Sequence, residues 1–242
     1  MTAMVGSVLR DPRGCRLPVG CLAAATVAAL VAGCVHTVTG TARPGDGGSR
    51  RSQPIPVTDL LIEPTRFPAQ YPASLVPAKD VDRLLSEIDG VAAGSDVNPP
   101  ECAPLPLLAQ QKAAVQGTDD KGGSRLIVAV VRPVPSVRAR VAQLEDCRSF
   151  TSTLAGEVSK VTVDMPPAPP VDADDSYAVE QTVTSRSAKG ETKTLTLVAL
   201  IDDVQVTASW QQSGSSDAAP DTHALDTLFT DAVLEVRRAI PR

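Results

Sequence analysis

Hydrophobic positions along the chain change period several times, and each change marks an element. Between residues 78 and 89, Val81, Leu84, Leu85 and Ile88 recur at i, i+3, i+4 and i+7, with Pro77 ahead and Gly90 behind. That spacing predicts a helix with one apolar stripe and a glycine stop. Residues 136–147 show the same period in Val137, Val141 and Leu144, which leaves Arg138 and Arg140 outward. The longest stripe comes last: Leu225, Leu228, Phe229, Ala232, Val233, Val236 and Ile240 predict a terminal helix over residues 220–240. Asp221 or Thr222 supplies its N-cap, and Arg237 and Arg238 complement the dipole at its end. A short helix is also predicted over residues 105–115.

Elsewhere the period shortens. Residues 126–131 form an uninterrupted apolar run, too short for a buried helix and closed by Arg132 and Pro133, and they predict a central strand. Four more strands are predicted at 157–164, 177–185, 191–201 and 204–210. Only Asp202 and Asp203 separate the last two, which predicts a tight antiparallel hairpin. Residues 119–123, Asp-Asp-Lys-Gly-Gly, read as another turn, and 57–62 as an entry strand or helical turn stopped by Pro64 and Pro68. Successive strands followed by a helix, with no regular βαβ alternation, predict an α+β fold. The expected architecture is an antiparallel sheet of about five strands, packed by helices on one face, with a long C-terminal helix.

The N-terminal segment has a different character. Arg10, Arg13 and Arg16 precede a mostly apolar stretch at 17–31, the n-region and h-region of an export signal. At its end Leu30-Val31-Ala32-Gly33-Cys34 resembles the bacterial lipobox. In that motif small residues admit the signal peptidase, and the Cys34 thiol takes up a diacylglycerol before cleavage leaves this cysteine as the new N-terminal residue. Two acyl chains anchor where one gives only marginal attachment, since each buried methylene contributes roughly 0.8 kcal/mol. The apolar run falls short of the roughly 20 residues that span a bilayer. An ordinary cleaved signal and an upstream extension of the true start remain the alternatives. The chain is thus divided into a lipoprotein signal peptide at 1–33, a flexible tether at 34–56 rich in Thr, Gly, Pro and Arg, and one extracytoplasmic domain at 57–242. Thr37, Thr39 and Thr41 in the tether are candidate O-glycosylation positions or plain solvated linker.

Removal of Cys15 and Cys21 with the signal, and acylation of Cys34, leave Cys102 and Cys147 as the one pair. An exported compartment lets them oxidise, for a loop-closure gain of about 4 kcal/mol; two unpaired buried thiols are the alternative. The net charge of -5 argues against a nucleic-acid partner, and three Phe, two Tyr and one Trp leave little for base or sugar stacking. A zinc site lacks ligands, because the only histidines, His36 and His223, fall in the tether and at a helix start. No nucleophile elbow, phosphate loop or dinucleotide fingerprint occurs, and no cofactor is expected. Asp172, Asp174 and Asp175 offer oxygens without the glycine and distal glutamate of a calcium loop, so they read as a solvated turn. Trp210 reads as core or groove rim.

The lipobox with Thr37-Val38-Thr39-Gly40-Thr41-Ala42, the Pro99-Pro100-Glu101-Cys102 segment and Cys147 after a short helix resemble the small mycobacterial lipoproteins. They also resemble the extracellular sensor domain of the kinase PknH. The resemblance covers about residues 57–242 and implies an antiparallel sheet with helices enclosing a cleft for an extracytoplasmic ligand. Its matching positions are Cys102 and Cys147; the kinase domain carries two disulfides and more aromatic residues. The function expected is a non-enzymatic ligand-binding or sensor-like domain, lipid-anchored on the outer face of the cell membrane. Its occupant would be a lipid, a small envelope ligand or a protein partner. A structural or protein-interaction lipoprotein without a small-molecule site, and more remotely an envelope hydrolase, are the rival classes. Intact-mass measurement of the native product should find a chain beginning at acylated Cys34; a Met1 start or an unmodified Cys34 thiol would contradict this reading.

Overall fold

Hydrogen bonding joins nine segments of the described chain into one antiparallel sheet. In chain order they are β1 (Ala73–Leu75), β2 (Asp96–Asn98), β3 (Gln111–Thr118), β4 (Ser124–Arg132), β5 (Ser149–Leu154), β6 (Glu157–Asp164), β7 (Asp175–Ser185), β8 (Glu191–Ile201) and β9 (Val204–Gly214). Three helices accompany them, α1 (Ala78–Ile88), α2 (Val137–Asp146) and α3 (Thr222–Ala239). The structure, a computed structural model, describes residues 54–106, 109–134, 136–185, 190–214 and 219–240. All of these lie in one compact unit, Arg51–Arg242. The signal segment, Cys34, His36 and the candidate glycosylation threonines fall outside the described residues.

The spatial order β1-β3-β4-β9-β8-β7-β6-β5-β2 explains the layering. From β5 to β9 the chain meanders, each strand pairing with the next, and β9 then closes against β4. Three connections cannot be short: β2 and β3 are consecutive in sequence yet separated by six strands, and two further connections carry helices. β4 and β5 are consecutive in sequence but lie apart across four strands, so the α2 segment must cross over them. β1 and β2 occupy opposite edges, so the α1 segment must traverse the whole sheet. Both helical crossings run over the same face, while α3 packs on the other.

Strand alternation sorts the side chains accordingly. Val204, Val206, Ala208 and Trp210 of β9 join Leu126, Val128 and Val130 of β4 in a core with Leu225, Leu228, Phe229, Val233 and Val236 of α3. The intervening Thr207, Ser209 and Gln211 are also buried, on the face that α1 and α2 cross. There the apolar packing is split. Val81, Leu84 and Ile88 of α1 lie on Ala114, Ile127 and Ala129, whereas Leu144 of α2 lies with Phe150, Val161, Val163, Val179 and the two cysteines.

The expected sheet of about five strands covered on one face is therefore corrected to nine strands covered on both. The five predicted strands are β4 and β6 to β9. Segments 73–75 and 96–98 are three-residue edge strands, too short to show a period. β5, Ser-Phe-Thr-Ser-Thr-Leu, holds few apolar residues. β3 overlaps the helix expected at 105–115; its Ala113 and Ala114 favour a helix by propensity, but backbone pairing with β4 along Gln111–Thr118 prevails. The Asp202–Asp203 reversal is observed, with Ile201 paired to Val204 and Asp202 at φ 55°. Residues 57–62 begin as a 3-10 turn, Val57–Asp59.

Candidate functional site

Between the two crossing segments the sheet face is left partly open, and a cavity of about 330 Å3 opens there. Its floor is strand surface: Tyr177, Val179 and Gln181 from β7, Thr196 and Val198 from β8, Thr207 and Gln205 from β9, and Val131 from β4. One wall is α1, through Asp82, Leu85, Ser86 and Asp89. The opposite wall is α2 with Val137, Arg140 and Leu144, and Pro104, Leu105 and Pro106 form a lip.

The lip is fastened to α2 rather than to the sheet. A disulfide joins Cys102 to Cys147, the residue that caps the end of α2. Within α2, Gln143 Nε2 donates to the carbonyls of Glu101 and Ala103 at 2.7 and 2.6 Å. Disulfide and side-chain amide together tie residues 101–103 along one helix, so the prolines that follow stand at the cavity edge.

α1 is seated differently. Its last turn descends onto the sheet, and Gly90 at φ 71° ends it where an added Cβ would come within 3.3 Å of Val183. A helix end carries carbonyls without intrahelical partners, and buried ones must find donors elsewhere. The backbone N–H groups of Asp89, Gly90 and Val91 serve the carbonyls of Leu85, Glu87 and Ser86, and the sheet adds further donors. Gln181 Nε2 donates to the Asp89 carbonyl at 3.1 Å, and Gln211 Nε2 to that of Glu87 at 3.4 Å. Gln211 Oε1 in turn accepts from Arg125 Nε at 2.7 Å, and Arg125 pairs with the Glu87 carboxylate at 2.7 Å. Both glutamines are 2% exposed.

Asp89, at the C-cap of α1, spans the cavity to meet Arg140 Nη2 of α2 at 2.9 Å. Arg140 Nη1 donates to Gln143 Oε1 at 2.7 Å, so the guanidinium is fixed from both sides. The Asp89 carboxyl is raised above its ordinary value near 3.8: protein surrounding it strips water from the anion, and Arg140 only partly offsets this. Forty per cent of its side chain still faces the solvent in the cavity. Burial, with Asp89 adding to it and Arg140 opposing, pushes the Tyr177 hydroxyl up to about 12. Tyr177 is therefore neutral at any physiological pH.

Sequence reasoning placed Arg140 outward with Arg138. Arg138 is outward, 92% exposed, but Arg140 is 14% exposed and shares the inner face with Val137 and Leu144 at i, i+3, i+7 spacing. That spacing was the available signal. Asp89, Tyr177 and Gln181 carried none, since nothing local in the chain marks residues that meet from three separate elements. The acidic residues 172–175 are engaged by arginines: Arg237 reaches Asp174 at 3.0 Å and the Asp172 carbonyl at 3.1 Å, and Arg138 lies 3.7 Å from Asp175. His223 is exposed on the first turn of α3, where Asp221 caps Ala224 at 3.1 Å. Trp210 is buried against α3, away from the cavity.

Three comparisons bear on kinship. A family model described as a domain of unknown function (DUF5642) matches residues 60–237. Among solved structures, an uncharacterized protein from Mycobacterium smegmatis, the Rv0999 ortholog, is similar at 21% identity, with a TM-score of 0.46; the match covers 72% of this chain and 92% of that one. No curated protein matches.

A raised Asp89 fixes the sign of one pH effect. The folded state holds the Asp89 proton more tightly than the unfolded chain does. The associated stability is complete below the ordinary carboxylate value and is lost as pH rises through the raised one. In urea unfolding at stepped pH, Asp89→Asn should gain on the wild type as pH increases across that interval. A difference that does not change with pH would contradict the assignment.

Proposed function

Starting from a chain that belongs to the DUF5642 family, a family whose description leaves its function open, we propose a lipid-anchored cell-envelope protein whose domain binds a small ligand without transforming it. The carrying observation is the cavity between α1 and α2, lined by a mixture of aliphatic and polar side chains, with one charged pair, Asp89–Arg140, at its edge. Its volume of about 330 Å3 lies at the small end of ligand sites. Anchoring through Cys34, an outer-face location and kinship with the small mycobacterial lipoproteins and the PknH sensor domain belong to the same proposal. They rest on the lipobox and on the Cys102 and Cys147 segments.

Native mass spectrometry of the full chain from its own membrane tests the proposal. The expected result is a species heavier than the anchored chain by the mass of one small molecule. Ser86→Trp, which places an indole in the cavity from α1, should lose that added mass while keeping the wild-type thermal transition. Identical ligand-free masses for both proteins would contradict small-ligand binding and favour the reading as a protein-interaction module.

A further inference from the structure

The charged groups of the cavity are unequally used. Arg140 is committed on both sides, to Asp89 Oδ1 and to Gln143. Asp82, one and a half to two turns earlier on α1, meets Lys112 of β3 at the outer margin. Asp89 Oδ2, by contrast, receives no hydrogen bond from any of the described residues, although its side chain is 40% exposed to the cavity. The unspent capacity of the site is thus that of an acceptor with negative charge. Around it, Leu85, Val131, Val137 and Val198 offer aliphatic surface beside Thr196 and Thr207.

We propose that the occupant is a single-chain amphiphile with a protonated amine, its ammonium donating to Asp89 Oδ2 and its aliphatic body lying along Leu85, Val131, Val137 and Val198. This rests on the small-ligand reading above and gives that ligand a chemical class. An anionic head would put a second negative charge on a guanidinium that Asp89 already occupies. A neutral hydroxyl head would donate to the carboxylate without adding a charge to the bond. An ammonium donates and carries a positive charge, and charge-assisted hydrogen bonds are among the stronger polar contacts. The cavity volume of about 330 Å3 favours one short chain over a two-chain lipid.

The ionisation of Asp89 then controls binding. The groups facing it are Arg140 from α2 and Tyr177 from β7, with Asp82 further along α1 beside Lys112 of β3. Glu87 on the same helix is engaged by Arg125 and Arg83. An alkylamine, like a lysine, stays charged to about pH 10. Protonating Asp89 at low pH removes the anion while the probe is unchanged, so affinity should rise with pH through the Asp89 titration.

Octylamine, octanol and octanoate, titrated calorimetrically into the full chain at about pH 4 and about pH 8, separate the possibilities. At the higher pH octylamine should bind at least about tenfold tighter than either of the others, the size of one charge-assisted bond. That preference should shrink at the lower pH and vanish in Asp89→Asn; the comparison of probes and pH on the wild-type chain stands even if the variant folds poorly. Binding of octanol or octanoate as tight as that of octylamine would overturn the amine assignment and leave the small-ligand reading standing. Failure of all three to saturate would overturn both.

Discussion

The C-terminal turn of α1 lies on a β-sheet; backbone N–H groups serve the carbonyls of Leu85, Ser86 and Glu87, while the Asp89 carbonyl takes its donor from the sheet. Gln181 of β7 provides it, and Gln211 of β9 adds a second donor to the Glu87 carbonyl, inside a face that strand alternation alone would assign to water. An unpaired buried carbonyl costs about 1–3 kcal/mol, which is large against the usual net stability of a domain. Gly90 ends α1, and the two amides hold that end down on the sheet. With that end fixed, Asp89 is placed opposite Arg140, and the width of the cavity follows from the length of the pair.

Topology supplies the other half of the arrangement. Because β1 lies far from β2 and β4 far from β5 in the sheet, two helical connections cross the same face, and two helices lying on a broad twisted surface leave space between them. On the α3 side one long helix fills the corresponding face with Leu, Phe and Val. On the cavity side the helices are short, Thr207, Ser209 and Gln211 interrupt the aliphatic strand residues beneath, and the apolar packing breaks into two clusters. The Cys102–Cys147 bond and Gln143 stiffen one wall, while the glutamines fix the other. A rigid frame around a partly polar floor is suited to holding a small molecule, where a fully apolar face would have closed on itself.

Much of this frame is legible in the residues, and the remainder is hidden for definite reasons. The stripe of α3 and the alternation of β8 and β9 announce themselves because one face of each is apolar over most of its length. β5 does not, since Ser and Thr on both faces erase the period, and β3 misleads because alanine favours helix until a neighbouring strand competes for its backbone. In β9, buried Thr207, Ser209 and Gln211 have the same composition as exposed residues, so alternation alone does not distinguish a covered face from an open one. The cysteine pair was readable from arithmetic. The Asp89–Arg140 pair was not, since its partners are 51 residues apart and meet only through the crossing of two helices over the sheet.

Hydrogen exchange by residue, comparing the wild type with a Gln181→Met, Gln211→Met double variant, tests the dependence on this buried pairing most directly. The account predicts that amides of α1 lose protection selectively, by about tenfold or more for one unpaired carbonyl, while those of α3 keep theirs. Equal protection of α1 in the two proteins would contradict it, since the helix end would then need no donors from the sheet.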